Sequence, residues 1–224
     1  MIFGIRYFEL AAFIFITLLF IFYPELDIYF SSLFFQDGSF YLKKSVFAYF
    51  FYKNVDHVSR FLLLFMVVGT ILSHYREKVL GFAKKDFYYI DTTILVGPMI
   101  IINLILKGLV GRSRPKHIES FGGEAEFFYP FDFTADFCSS NCSFVCGHCG
   151  AAFIFIAFAL LFTGLKRKIA FALAITWGSL ASLGRIMQGA HFLSDAVFAF
   201  FIILFTAKIA HYYFYIHPRK PQSA

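Results

Sequence analysis

Apolar residues run along this chain in unbroken blocks instead of alternating with polar ones. Six blocks approach the length needed to cross a hydrocarbon core of about 30 Å. They run from Phe8 to Tyr23, Val58 to His74, Tyr88 to Leu106, Gly147 to Gly164, Ile169 to Leu183 and Phe192 to Tyr212. No polar stripe divides them, so they predict helices that are apolar all round and have lipid as their solvent. The fifth block carries Thr176, Gly178, Ser179, Ser182 and Gly184, a small-residue pattern that predicts close helix packing at the centre of a bundle. The expected fold is all-α: a single domain over residues 1–224, built as an integral membrane bundle of six transmembrane helices. Between the first two blocks, Tyr29 to Tyr52 reads as an interfacial helix. Phe121 to Phe133 reads as a lid over a lipid headgroup or a loop resting on the bilayer.

Composition sharpens this reading. Of 224 residues, 59% are hydrophobic and only 15% charged, well below the quarter or so usual in soluble domains. The formal net charge of +6 would suit nucleic acid, but no soluble scaffold is available to present a basic face, so nucleic acid is excluded as a partner. The expected partners are the bilayer and a membrane lipid, and no segment marks an obligate protein partner.

Arg6 precedes the first block, yet Tyr23-Pro24-Glu25-Leu26-Asp27 follows it without a small-residue cleavage site, so it reads as a retained span. Arg76, Lys78, Lys84 and Lys85, then Lys166, Arg167 and Lys168, then Arg219 and Lys220, fall on one side. By the positive-inside rule that side is cytoplasmic and holds both termini. Glu25, Asp27, Asp37, Glu119, Glu124, Glu126, Asp132 and Asp136 fall on the other side.

Four ionisable residues contradict a simple apolar bundle. Lys107 closes the third span, His148 opens the fourth, Arg185 closes the fifth and His191 opens the sixth. The topology brings all four to the outer membrane face. Charge at membrane depth is costly and marks function, and cations at one level repel unless an anion lies between them. A phosphate group meets that demand.

Three segments carry these residues: Lys107 through Arg114-Pro115, Ser143-Phe144-Val145-Cys146-Gly147-His148, and Gly184-Arg185 through His191 to Asp195. They resemble the signatures of the type 2 phosphatidic acid phosphatase (PAP2) superfamily: Lys, six residues, Arg-Pro; then Pro-Ser-Gly-His; then Ser-Arg, five residues, His, three residues, Asp. Val145, Cys146 and Gly184 depart from that pattern. Cys142 to Gly147, Gly97-Pro98 and the surroundings of His191 look like the branch of bacterial lipid A 4′-phosphatases. The resemblance implies a lipid phosphatase of the inner membrane, with its site facing the periplasm and no cofactor or metal.

The residues support that chemistry independently. His191 and Asp195 share a helix face, so Asp195 can fix the imidazole tautomer while the other ring nitrogen attacks phosphorus. His148 is the expected acid for the leaving oxygen. Lys107, Arg114 and Arg185 are expected to hold the phosphate, with Cys146 and Gly147 at the start of the fourth span. Arg112 and Lys116 read as loop cations bound to lipid headgroups, and His57 and His117 as interfacial polar residues. Asp91 reads as a capping or pairing residue. Among the cysteines, Cys138 and Cys142 flank a short turn and form the expected disulfide, with Cys149 a small apolar residue in the fourth span. A cysteine nucleophile would need a following Arg, which Cys-Gly-His-Cys-Gly lacks. A zinc site would need two separated pairs of ligands. Phosphatidylglycerophosphate and undecaprenyl diphosphate are the other substrates this chemistry accommodates. Outside hydrolysis, a non-catalytic phospholipid-binding relative and an anion transporter remain as readings.

Overall fold

The computed structural model describes residues 1–133, 138 and 141–217. Asp136 of the outer loop and Arg219 and Lys220 of the basic tail lie outside the described residues. The architecture is mainly helical: α1 (Tyr7–Phe22), α2 (Glu25–Ser32), α3 (Val46–Leu72), α4 (Lys84–Leu109), α5 (Gly147–Leu161), α6 (Gly164–Met187) and α7 (Leu193–Ile216). Of these, α3, α4, α6 and α7 are each long and apolar enough to cross a membrane. The pair α1 and α2 also passes when taken together but is bent by 85°. Pro24 sits at that bend, where a residue without a backbone N–H starts a new helix at little cost. Helix α5 is shorter, with a break in its regular winding at Ile154.

Local sequence sets the helix starts. Ser45 caps α3 by accepting from the Ala48 N–H at 3.2 Å. Asp86 accepts from the Ala83 N–H at 2.8 Å at the start of α4. Asp195 does the same for Phe192 at 2.9 Å at the start of α7. Helix α3 therefore begins at Val46, twelve residues before the expected span, and takes the end of the supposed interfacial segment into its first turns. Two hairpins, β1 (Phe35–Gln36) with β2 (Ser39–Phe40) and β3 (Lys78–Val79) with β4 (Phe82–Ala83), close tight turns at Asp37-Gly38 and Leu80-Gly81. All four turn residues have positive φ, which Asp-Gly supplies readily.

The centre of the bundle differs from the sequence expectation. In α7, 67% of the apolar window is buried, against 33% in α6. The small residues of α6 serve a narrower purpose: a Cβ on Gly178 would lie 2.1 Å from the Phe153 ring, so glycine admits α5 against α6. Phe121 to Phe133 is no free lid in its first half. Phe121 and Ala125 pack with Phe40, Ile118 and Phe192 into a small core that joins the β1–β2 hairpin to the start of α7.

Arg112 is the main correction to the sequence reading. It is fully buried and does not face lipid headgroups. Its Nη2 donates to Asp27 at 2.7 Å, its Nη1 to Asp195 and to the Ser194 hydroxyl at 2.8 Å, and its Nε to the Phe128 carbonyl at 2.7 Å. The guanidinium also lies over the Phe192 ring at 4.1 Å. Asp27 completes the cluster by accepting from the Ser194 backbone N–H at 2.8 Å. One cation thus joins α2, the outer loop and α7. Deleting one member of a buried ion cluster leaves an uncompensated charge, at a cost of about 3–5 kcal/mol. Arg112→Met is expected to lower the thermal unfolding midpoint of the detergent-solubilised protein sharply. An unchanged midpoint would show that Arg112 is not structural.

Candidate active site

The three charged segments meet because backbone bonds join them. The Ser143 N–H donates to the Arg112 carbonyl at 2.8 Å, the Lys116 N–H to the Gly189 carbonyl at 3.0 Å, and the Cys146 N–H to the Asp195 carbonyl at 3.3 Å. The turn between α6 and α7 depends on Gly189, whose φ is +61° and whose Cβ would lie 2.4 Å from the Phe40 ring. That turn carries His191 back over the bundle to the start of α7.

His191 is held by two acceptors. Its Nδ1 lies 2.9 Å from the Ser143 carbonyl and 3.4 Å from an Asp195 carboxylate oxygen. A carbonyl only accepts, so the proton resides on Nδ1 and Nε2 keeps its lone pair. The closer partner is the carbonyl, which sequence reasoning did not include. Asp195 is shared: the same carboxylate accepts from the Ser143 hydroxyl, the Phe192 N–H and Arg112. Burial holds the His191 imidazole below its ordinary pKa against the opposing pull of Asp195, which favours the neutral ring.

The cations come from the same joined segments. Lys107 donates to the Asn141 side chain at 3.2 Å, and Arg114 donates to the Asn141 carbonyl at 2.9 Å. The Lys107 ammonium lies 3.2 Å from where a Gly147 Cβ would be, so glycine lets it reach the first turn of α5. There the helix leaves the first backbone N–H groups unpaired. Arg185 is 9% exposed, donates through Nη1 to Gln188, and has its guanidinium 5.0 Å from the Tyr52 ring centroid. Its buried Nε has no hydrogen-bond partner among the described residues. The ring of His148 stacks on the same tyrosine, with centroids 5.3 Å apart. Burial and then the charges of Arg114 and Arg185 hold the Lys116 ammonium below its ordinary pKa. His117 is lowered by burial and by Lys116 and Arg114.

Tyr52, Asn141, Ser143 and Arg112 are therefore site residues that sequence reasoning missed. Tyr52 and Asn141 carry no signal by type or spacing. Ser143 lay inside a quoted segment, and Arg112 lay two residues from Arg114. The cysteines depart from expectation in one of two pairs. Cys138 is bonded to Cys142, and Cys146 is bonded to Cys149. Cys149 is thus no simple apolar residue, and Cys146 has no thiol proton to donate to a phosphate. Its sulfur instead accepts from the Cys149 N–H at 3.1 Å and caps α5.

Among the described residues, no group of three or more His, Cys, Asp or Glu is arranged to hold a metal ion. The joined segments carry an oriented imidazole, three cations and a helix start, a composition suited to an anionic tetrahedral group.

Comparison with known proteins agrees with this chemistry. A lipid A 4′-phosphatase of Francisella tularensis subsp. novicida is 33% identical over 190 residues, covering 82% of this chain and 84% of the relative. One from Rhizobium leguminosarum is 28% identical over 206 residues, covering 84% and 88%. A lipid A 1-phosphatase of Rhizobium etli is 37% identical over 112 residues, covering 49% of this chain and 42% of the relative. No solved structure matches. The profile of the PAP2 superfamily matches residues 89–219, which contain all three charged segments. The chain belongs to the PAP2 superfamily and is a membrane lipid phosphatase.

Proposed function

We propose that the protein removes the 4′-phosphate of lipid A by way of a phosphohistidine on His191. The observation that carries the mechanism is the Nδ1–H of His191 fixed by Ser143 and Asp195, which leaves Nε2 as the nucleophile. In the first step the Nε2 lone pair forms a bond to phosphorus as the bond from phosphorus to the sugar oxygen breaks. His148 gives that oxygen its proton. Water then attacks phosphorus, the P–N bond breaks, and inorganic phosphate leaves. His148 takes the water's proton.

Lys107, Arg114 and Arg185 hold the non-bridging oxygens, aided by the backbone N–H groups of Gly147 and His148. The unpaired Arg185 Nε is a donor that a phosphate oxygen would satisfy. Cys146 contributes by capping α5 rather than by donating a proton. An apolar cleft of about 360 Å³ lined by Ile16, Phe30, Phe153, Leu183, Leu193 and Val197 opens beside the His191 turn and suits an acyl chain.

The proposed topology has six spans, counting α1 with α2 as one bent span and α5 as a short one. Its termini and the basic loops Arg76 to Lys85 and Lys166 to Lys168 are cytoplasmic, in the inner membrane, and His191 faces the periplasm. The 4′ position follows the names of the relatives matched over most of the chain, and the shorter match to a 1-phosphatase makes the 1 position the second reading.

Purified protein offered lipid A, phosphatidylglycerophosphate and undecaprenyl diphosphate is expected to release inorganic phosphate mainly from lipid A, with mass spectrometry locating the loss at 4′. His191→Ala is expected to abolish release. Release that survives in this variant would eliminate the phosphohistidine route, and loss of the 1-phosphate instead would reassign the position. Asn141→Ala removes one contact to Lys107 and is expected to raise KM roughly 3- to 10-fold with a smaller change in kcat. An unchanged KM would mean that Lys107 is positioned without it.

A further inference from the structure

The end of the bundle opposite the active site holds a second concentration of positive charge, which the phosphatase chemistry leaves unused. A cleft of about 740 Å³ lies between the start of α1, the start of α6 and the end of α7. Arg6, Arg167, Lys168 and Lys208 line it, and Phe171 and Ile175 form part of its apolar wall. Arg167 and Arg185 are separated along α6 by about 27 Å at 1.5 Å per residue, so the cleft and the site occupy opposite membrane faces.

Glu9 faces two of these cations. It accepts from Arg6 Nη2 at 2.9 Å and Nε at 3.1 Å, and also from the Lys208 ammonium. One carboxylate between two cations leaves that trio positive. The Arg167 guanidinium donates to the Leu160 carbonyl at 2.8 Å and the Phe162 carbonyl at 2.6 Å, contacts that fix its position without neutralising it. Lys168 is exposed at the rim and has no ion-pair partner among the described residues.

The shape of the cleft selects the kind of anion. Away from its basic mouth the cleft is lined by Leu160, Phe171, Ala172 and Ile175, and Ile175 also borders the apolar cleft beside the His191 turn. A small soluble anion would use only the basic mouth. A basic mouth leading to an apolar wall at a membrane face matches an amphiphile with an anionic head. We propose that this cleft binds an anionic phospholipid of the leaflet opposite the active site, with its phosphate among Arg6, Arg167 and Lys168 and an acyl chain against Phe171 and Ile175.

The test is native mass spectrometry of the full chain in detergent, titrated with phosphatidylglycerol or phosphatidylcholine. Phosphatidylglycerol is expected to be retained and phosphatidylcholine to be lost. The double variant Arg6→Gln/Lys168→Gln keeps the Glu9–Lys208 pair and the Arg167 clamp, and is expected to weaken retention by about tenfold or more. Lys107→Gln, altered only at the active-site end, is expected to retain phosphatidylglycerol as the unaltered chain does. Thermal unfolding of both variants checks folding. Equal retention of the two lipids, or retention unaffected by the double variant, would overturn the proposal. Loss in Lys107→Gln would assign the lipid to the active site instead, and displacement by millimolar inorganic phosphate would make the cleft a free-anion site.

Discussion

Arg112 is enclosed by two carboxylates at a depth where water cannot screen any of the three charges. Asp27 comes from the short helix after the first bend, Asp195 from the first turn of the most buried helix, and the Arg112 guanidinium bonds both. The planar fork of arginine suits the position because three differently directed donors are used at once, to Asp27, to Asp195 with Ser194, and to Phe128. The active site depends on this arrangement through Asp195. That residue terminates the ion cluster, caps α7 and orients His191, so an error in its position reaches the nucleophile directly.

Much of the constellation is legible in the sequence, for a physical reason. Residues charged at membrane depth are rare, and the direction of each apolar block determines the face at which its ends lie. Lys107, His148, Arg185 and His191 can therefore be grouped before any contact is known, and the matching signatures add Arg114 and Asp195. What the sequence does not disclose is partnership across long separations. Asp27 and Arg112 stand 85 residues apart, and nothing in the type of either selects the other. Tyr52 was hidden for a different reason. The segment around it is aromatic and basic enough to suit the membrane interface, whereas tertiary packing extends α3 through it.

Span boundaries show the same limit. Apolar blocks report where lipid or core can be, but not whether a helix continues past the block or bends within it. Helix α6 extends beyond its apolar block at both ends, taking in Lys166 to Lys168 and Arg185, because long cationic side chains can keep their charge outside the hydrocarbon while their stems stay in it. The pairing of Cys146 with Cys149 had a readable signal: three residues apart at a helix start, the two face the same side. Reading Cys149 as apolar filler overlooked that geometry.

The two ends of the bundle treat cations in opposite ways, and the difference bears on catalysis. At the far end, Glu9 neutralises part of the charge permanently. At the active site, Lys107 and Arg114 are held by the neutral amide and carbonyl of Asn141, and Arg185 by the neutral amide of Gln188, with its Nε left unpaired. Neutral partners orient a cation without satisfying its charge. The site thus retains an electrostatic demand that its neighbouring side chains leave unmet. A phosphoryl group meets that demand most fully when its equatorial oxygens carry the charge of the transition state, which makes the interaction stronger there than with a neutral or singly charged headgroup. A carboxylate placed like Glu9 among Lys107, Arg114 and Arg185 would stabilise the empty protein and remove that advantage.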